Sequence, residues 1–363
     1  MDVSFLKPLY ARPGPYASVY MDMTRSTEDA EKVIELRWRA LREELEAQGC
    51  PPATLRAIEE TVTREMERRR SEGLVVFAAG GEVVHSARLQ RPPRAELARV
   101  SPLPHVLPYL SYRGERFAYM VARVNRRGGE IDCFGPDGRH RHIDVPGDED
   151  YPIRKTKAGD WNQSRYQRAS ENVWKHNAKK VAREVDRAAS ACHAEAVVIA
   201  GDPRARTTVL EEISEGTLEK AVESDRGEIV EDDLSRILDL KSTERVLTVA
   251  QRFERELAHG ERAVAGLPAT VEAVRRSQVE SLLLDEDPGA PTSLWIGPGP
   301  GDVATEPDEL RWLGIEDIQE ERADAALVRA MAATEGDLVV LPSDNRVGVG
   351  AVLRYSDPTT VHE

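Results

Sequence analysis

The chain is 363 residues long, 40% hydrophobic and 31% charged. That is the balance of a protein that folds in water, and at roughly 150 residues per domain it implies two or three domains. A net charge of −14 excludes a general coat protein for nucleic acid, which needs a basic surface. The longest apolar runs, from Leu74, Ala194 and Asp337, fall far short of the roughly 20 residues that cross a bilayer. The opening MDVSFLKPLY has no basic stretch followed by an apolar one, so secretion is not expected.

The first segment, 1–112, reads as a small α/β domain. Residues 18–23 predict a strand. Helices are expected at 27–48 and 52–70, with Ser26 capping the first and Pro52 opening the second. Strands at 74–79 and 82–89 flank Gly80-Gly81, a hairpin signal. A proline-rich stretch then leads to Leu110.

The second segment, 113–257, opens with strands at 117–125 and 130–134, joined by a turn at Arg126-Arg127-Gly128-Gly129. The turn GPDG follows at 135–138. Residues 144–161 are polar and without period, which reads as a long loop of the kind that carries function. A helix is expected over 164–193. Tyr166, Ala169, Val173, Val181, Val185, Ala188 and Cys192 mark one face, and Arg168, Lys175, Lys179, Arg183 and Arg187 mark the opposite one. A short buried strand at 194–203 and helices at 204–213, 217–221 and 231–256 complete an alternation that suggests a largely parallel sheet.

The third segment, 258–363, reads as a compact α/β sandwich. It has helices at 268–276 and 323–334, strands at 279–284, 294–296, 336–341 and 347–354, and a loop at 298–302. The expected fold class is therefore α/β (α+β mixed), in three domains.

Charge is distributed unevenly. From Arg154 to Arg187 there are ten Lys or Arg residues against four acids, a net of +6 inside an acidic chain. The stretch KTKAGDWNQSRYQR, with the adjacent Arg154, combines the cations Arg154, Lys155, Lys157, Arg165 and Arg168 with Gly159, Trp161, Asn162 and Gln163, and Lys175 continues it. RNA recognition uses these ingredients: cations on phosphates, an aromatic face on a base, and amides on base edges or the 2′-hydroxyl. The bland alternative is a solvated basic loop, since charge runs usually face water.

Candidate catalysis is thin. His140 and His142 could pair as metal ligands on one strand face, but no third ligand stands in an identifiable frame, so an exposed polar strand is the simpler reading. His176 and His193 have no carboxylate or thiol at useful spacing in the sequence. GPGPGD lacks the lysine of a phosphate-binding loop, and no serine stands in a nucleophile elbow. No metal or cofactor is expected. Cys50, Cys133 and Cys192 fit neither zinc nor disulfide spacing, so three reduced thiols and a cytoplasmic location are expected.

The order of parts resembles a known family. A strand pair, a long loop, a helix beginning SRYQRASEN and then AVVIAGDP resemble the middle domain of the archaeal and eukaryotic release factors and of Pelota. VESLLLD and GDLVVLP resemble their C-terminal domain. The likeness is to the bacterial branch of that superfamily, including mycobacterial proteins similar to the hibernation factor Balon, and ASVYMDM in the first segment resembles only that branch. Release factors carry Gly-Gly-Gln in the loop before the long helix. Here Gly159-Asp160-Trp161 stands in that place, and the next glutamine, Gln163, is two positions late.

The resemblance implies a ribosome-binding hibernation factor that fills the A site, contacts ribosomal RNA through the stretch from Arg154 to Arg168, catalyses no peptide release and works with elongation factor Tu. Two alternatives stay open. One is a rescue factor or peptidyl-tRNA hydrolase using Gln163. The other is a translation adaptor that binds a GTPase without occupying the A site.

Overall fold

A computed structural model describes residues 1–25, 29–68, 71–114, 116–136, 138–148, 160–224, 231–260, 262–286, 292–342 and 347–356. For 160–172 and 231–233 it describes the backbone alone. The expected cap at Ser26 lies outside these residues.

The N-terminal segment forms β1 (Tyr16–Asp22), α1 (Ala30–Ala47), α2 (Pro52–Arg68), β2 (Gly73–Ala79), β3 (Glu82–Leu89), β4 (Leu97–Ser101) and α3 (Leu107–Arg113). The four strands pair antiparallel in the order β3-β2-β1-β4. Gly80 and Gly81 have φ of 59° and 84°, the left-handed pair that a tight hairpin between β2 and β3 requires. One sheet face packs on α1 and α2 through Val19, Met21, Val76, Ile34, Leu41 and Ile58. β4 falls within the stretch read as a proline-rich connection. It is a five-residue edge strand between Pro92-Pro93 and Pro102, so its short apolar run is masked by the flanking turn signals.

The middle segment forms β5 (Tyr119–Asn125), β6 (Gly128–Phe134), β7 (His140–Pro146), α4 (Asp160–Ala191), β8 (Ala196–Gly201), α5 (Pro203–Glu212), α6 (Glu215–Leu218), β9 (Ala221–Glu223) and α7 (Glu231–His259). Its sheet runs β7-β6-β5-β8-β9. The β5–β8 and β8–β9 pairs are parallel, whereas β5–β6 and β6–β7 are antiparallel. The largely parallel sheet expected from the alternation is thus half right. Two tight turns, at Arg126-Arg127 and 135–138, permit only antiparallel neighbours.

The C-terminal segment forms β10 (Ala263–Ala265), α8 (Leu267–Arg275), β11 (Val279–Asp285), β12 (Ser293–Ile296), β13 (Val303–Ala304), α9 (Pro307–Trp312), β14 (Gln319–Arg322), α10 (Ala323–Thr334), β15 (Asp337–Leu341) and β16 (Val349–Leu353). They build one sheet of order β10-β16-β11-β15 and another of order β13-β12-β14. α10 is buried along most of its length because its small alanines let neighbouring elements approach closely.

Three segments were expected, and the chain forms two compact units, 1–114 with 246–363 and 115–245. The reason lies in the second face of the N-terminal sheet. Tyr16, Tyr20, Val75 and Phe77 share one apolar cluster with Leu282, Leu284, Leu327 and Met331, so the terminal segments close a common core. The Met1 ammonium donates to the Leu338 carbonyl at 2.5 Å, and Leu338 N–H donates back to the Met1 carbonyl at 2.9 Å. The mixed α/β class stands.

Candidate nucleic-acid interface

α4 organises the middle unit. Its 32 residues span about 48 Å at the usual helical rise. Ala178, Val181, Ala182, Val185, Ala188 and Ala189 are buried against Met120, Ala122, Val124, Ile131 and Val197 of the sheet. Lys175, Lys179, Arg183 and Arg187 are exposed on the other side, as the periodicity predicts. Part of that cationic face is neutralised by the chain itself. Lys179 Nζ lies 2.8 Å from Glu212, and Arg187 Nη1 lies 2.6 Å from Glu184. Lys175 and Arg183 have no acidic partner among the described residues.

Of the residues expected to contact RNA, Arg154, Lys155, Lys157 and Gly159 lie outside the described residues. Trp161, Asn162, Gln163, Arg165 and Arg168 are described in backbone alone, and all five are helical. The expected loop over 152–165 with a helix from 164 is corrected there, because α4 begins at Asp160. An aspartate suits the positive end of a helix, and Trp161-Asn162-Gln163 holds no glycine or proline to oppose helical φ and ψ. Lys175, exposed and without an acidic partner among the described residues, is the expected contact whose side chain is on view.

The segment entering 149–159 is clamped at its base. Asn177 is 1% exposed and sits where Gly147 presses on it; a Cβ on Gly147 would lie 2.5 Å from Asn177 Cγ. Asn177 Oδ1 accepts from Asp148 N–H at 2.7 Å, and Nδ2 donates to the Arg126 and Asp148 carbonyls at 3.0 and 3.3 Å. His176 Nε2 and Lys180 Nζ lie 3.4 and 4.0 Å from the Asp148 carboxylate. A carboxylate therefore does face His176, which spacing along the chain could not reveal. Beside it the Arg126 guanidinium lies 4.5 Å above the Trp174 ring and 3.3 Å from Asp202.

The sheet face away from α4 carries a second cluster. Asp132 on β6 is 7% exposed. One carboxylate oxygen bonds His140 Nε2 at 2.9 Å and His142 Nδ1 at 2.8 Å, and the other accepts from Arg123 at 2.5 Å. Burial pushes its pKa up, but the bonds from His142, His140 and Arg123 outweigh burial and hold it at about 2. The same bond raises the His142 imidazole above its ordinary value. Both histidines do share a strand face, and the fold supplies a carboxylate between them. That carboxylate is already saturated by three donors, and among the described residues no group of three His, Cys, Asp or Glu has metal-ligand spacing.

The other motifs resolve into structure. In GPGPGD, Asp302 Oδ2 accepts from Gly299 N–H at 2.6 Å, so the chain's own carboxylate occupies this loop. Cys133 and Cys192 come within hydrogen-bonding reach of each other, and burial, then Cys192, push the Cys133 thiol up to about 12. All three cysteines are free thiols. Among the described residues no helix is long and apolar enough to cross a membrane.

The middle unit is thus a mixed sheet backed by a long helix with an exposed cationic face, in an acidic chain. Bacterial archaeo-eukaryotic release factor family 2 matches residues 118–259, from the start of β5 to the end of α7. The uncharacterized protein Rv2629 of Mycobacterium tuberculosis H37Rv is 31% identical over 366 residues, covering 97% of this chain and 96% of the relative. MT2704 of strain CDC 1551 gives the same figures. The chain belongs to the same family as these two mycobacterial proteins, and its residues 118–259 match the bacterial archaeo-eukaryotic release factor family 2.

Solved structures with similar chain traces include archaeal Pelota, described as ribosome-bound together with ABCE1. It has 14% identity, 98% and 94% coverage of this chain and that one, and a TM-score of 0.39. Archaeoglobus fulgidus Pelota gives 15%, 78% and 80%, and 0.32. The archaeal translation termination factor aRF1 gives 14%, 98% and 99%, and 0.25.

Proposed function

We propose that this chain is a ribosome-binding hibernation factor of the Balon type that occupies the A site in the cytoplasm and catalyses no peptide release. The observation that carries the reading is the cationic surface of the middle unit. Lys175 and Arg183 on α4, exposed and without acidic partners among the described residues, follow in sequence the basic stretch Arg154–Arg168 of a chain whose net charge is −14. Localised cations on an acidic body favour one rRNA location over indiscriminate binding. The match of residues 118–259 to a release-factor family supports the ribosome as the source of that RNA.

The non-catalytic part rests on residue chemistry. Asp160 and Trp161 stand where a release factor has its second glycine and its glutamine. A carboxylate among phosphates and an indole cannot position a water as an amide does. Lys155, Lys157, Arg165 and Arg168 would hold phosphates, Trp161 would stack on a base, and Asn162 and Gln163 would read edges. Elongation factor Tu is the proposed partner.

Reversing Lys155, Lys157, Arg165 and Arg168 to glutamate tests the site. Ribosome co-sedimentation should weaken, and its log–log salt slope should fall by about 0.7–0.9 for each phosphate no longer neutralised. Unchanged binding sinks the assignment. Footprinting of A-site rRNA separates the proposal from a GTPase adaptor. Release of labelled peptide by the purified protein, abolished in Gln163→Ala, would replace it with a rescue enzyme.

A further inference from the structure

The unit built from 1–114 and 246–363 holds a cavity of about 980 Å³. Tyr10, Tyr16 and Leu103 line it from the N-terminal segment, and Ile296, Arg329 and Ala332 from the C-terminal one. Five prolines complete much of the wall, and proline has no N–H to donate. The cavity is therefore apolar over much of its surface and poor in donors. That is the pattern of a site where a few polar groups fix one end of a ligand. Its size is at the upper end of small-molecule pockets, about 300–1,000 Å³.

Arg329 is the donor that decides the chemistry. It is 7% exposed. Its Nη1 donates to the Gly297 carbonyl at 3.0 Å and its Nη2 to the Asp302 carbonyl at 3.5 Å, while the buried Nε finds no acceptor among the described residues. The Tyr10 hydroxyl, also buried, likewise has no partner there. Two carbonyl dipoles do not neutralise a guanidinium, and a buried charge is ordinarily paired. Burial lowers the Arg329 pKa against the upward pull of Tyr10, Asp302 and Glu321. Those two carboxylates are engaged elsewhere. Asp302 accepts from Gly299 N–H at 2.6 Å, and Glu321 accepts from the N–H groups of Leu103 and Arg322, each at 2.7 Å. Among the described residues no carboxylate stands within ion-pair distance of Arg329. The other lining cations are already matched, Lys7 with Glu335 at 2.9 Å and Arg12 with Glu82 at 2.6 Å. The lining acid, Asp317, is exposed.

We propose that this cavity binds a small organic acid, its one carboxylate or phosphate on the Arg329 guanidinium and the Tyr10 hydroxyl and its apolar body against the prolines. One unpaired cation calls for one anionic group, and a charge-assisted hydrogen bond is roughly twice as strong as a neutral one. An uncharged ligand of the same shape would leave the guanidinium charge unmatched. The site belongs to a different unit from α4, so it stands whether or not the chain binds ribosomes.

The test is calorimetric titration of the full chain, at constant ionic strength, with benzoate, phenyl phosphate, benzyl alcohol and inorganic phosphate. Benzoate or phenyl phosphate should bind saturably, about tenfold or more tighter than benzyl alcohol or inorganic phosphate, the range for one charge-assisted bond. Whichever acid binds tells carboxylate from phosphate. Tyr10→Phe keeps the ring and should weaken that acid about two- to twelvefold, the range for one neutral hydrogen bond. Arg329→Met should abolish saturable binding. Reversal of Lys155, Lys157, Arg165 and Arg168 to glutamate should leave binding unchanged. A loss there assigns the anion to the basic stretch and overturns the proposal. No binding by either acid overturns it, as does benzyl alcohol binding as tightly as benzoate, or inorganic phosphate as tightly as phenyl phosphate. Native affinity in Tyr10→Phe overturns it too, and that variant decides alone if Arg329→Met does not fold.

Discussion

Asn177→Ala should cost about 2–3 kcal/mol, because it removes three hydrogen bonds at a site 1% exposed. Each such bond contributes about 1 kcal/mol net, and a buried group left unpaired costs about 1–3. The Asp148 side chain is 62% exposed, so its backbone groups can recover water more readily than the Arg126 carbonyl, and the sum stays at the lower end. Asn177→Asp keeps the acceptor for Asp148 N–H but sets a carboxylate against the Arg126 and Asp148 carbonyls. It should cost at least as much as alanine at pH 7 and recover in part as the carboxyl protonates. Equilibrium urea unfolding, followed by circular dichroism and tryptophan fluorescence, measures both. The clamp also fixes the point where the chain enters 149–159, so ribosome association should weaken for Asn177→Ala under conditions where it remains folded. A loss below about 0.5 kcal/mol, typical of an ordinary surface change, would show that Asn177 does not bear the clamp.

Gly201 has a φ of 111°, and a Cβ there would lie 1.9 Å from the Val124 carbonyl oxygen. Gly201→Ala should therefore destabilise the middle unit by more than about 2 kcal/mol, read as a fall in urea midpoint. Burial holds His105 at about 4, outweighing the opposite pull of Asp324, 3.6 Å away, and Arg322 and Arg99 add to the lowering. Its folded pKa lies below its ordinary value of 6.5, so its contribution is complete above 6.5 and lost as pH falls toward 4. His105→Gln should flatten the thermal midpoint over that window. Asp132 is held at about 2, below its ordinary 3.8, so its contribution is present above 3.8 and lost as pH falls toward 2. Asp132→Asn should reduce that acid-limb loss and remove the upward pull on His142, seen by NMR titration of the imidazole.

What could be read in advance follows from where each signal lies. The β2–β3 hairpin was legible because two adjacent glycines can satisfy a tight turn, and α4 because small apolar residues repeat on one face of the helix. β4 and β14 were not, since both are short edge strands whose pairing comes from distant residues, β4 set among prolines and β14 rich in charge. The Glu321 carboxylate in β14, for example, accepts from Leu103 N–H at 2.7 Å, across a separation of 218 residues. The cationic face of α4 was visible as a pattern, but the neutralisation of Lys179 by Glu212 depends on where α5 lies. His140 and His142 were conspicuous in the sequence. Their meaning was hidden because Asp132, Phe134 and Tyr119 reach them only through strand register.

The shared core of the terminal segments bears on how the chain is made. When the first 114 residues leave the exit tunnel, Tyr16, Tyr20, Phe77, Leu107 and Leu110 already form one side of an apolar cluster. The other side includes Leu282, Leu327 and Leu353, so at about 5–20 residues per second the seam stays open for roughly 10–50 s. The middle unit emerges during that interval and has its own core to close. A nascent chain with one finished body and one half-built body must shield aromatic surface for the whole wait, which makes it a natural client for chaperones that bind at the tunnel mouth.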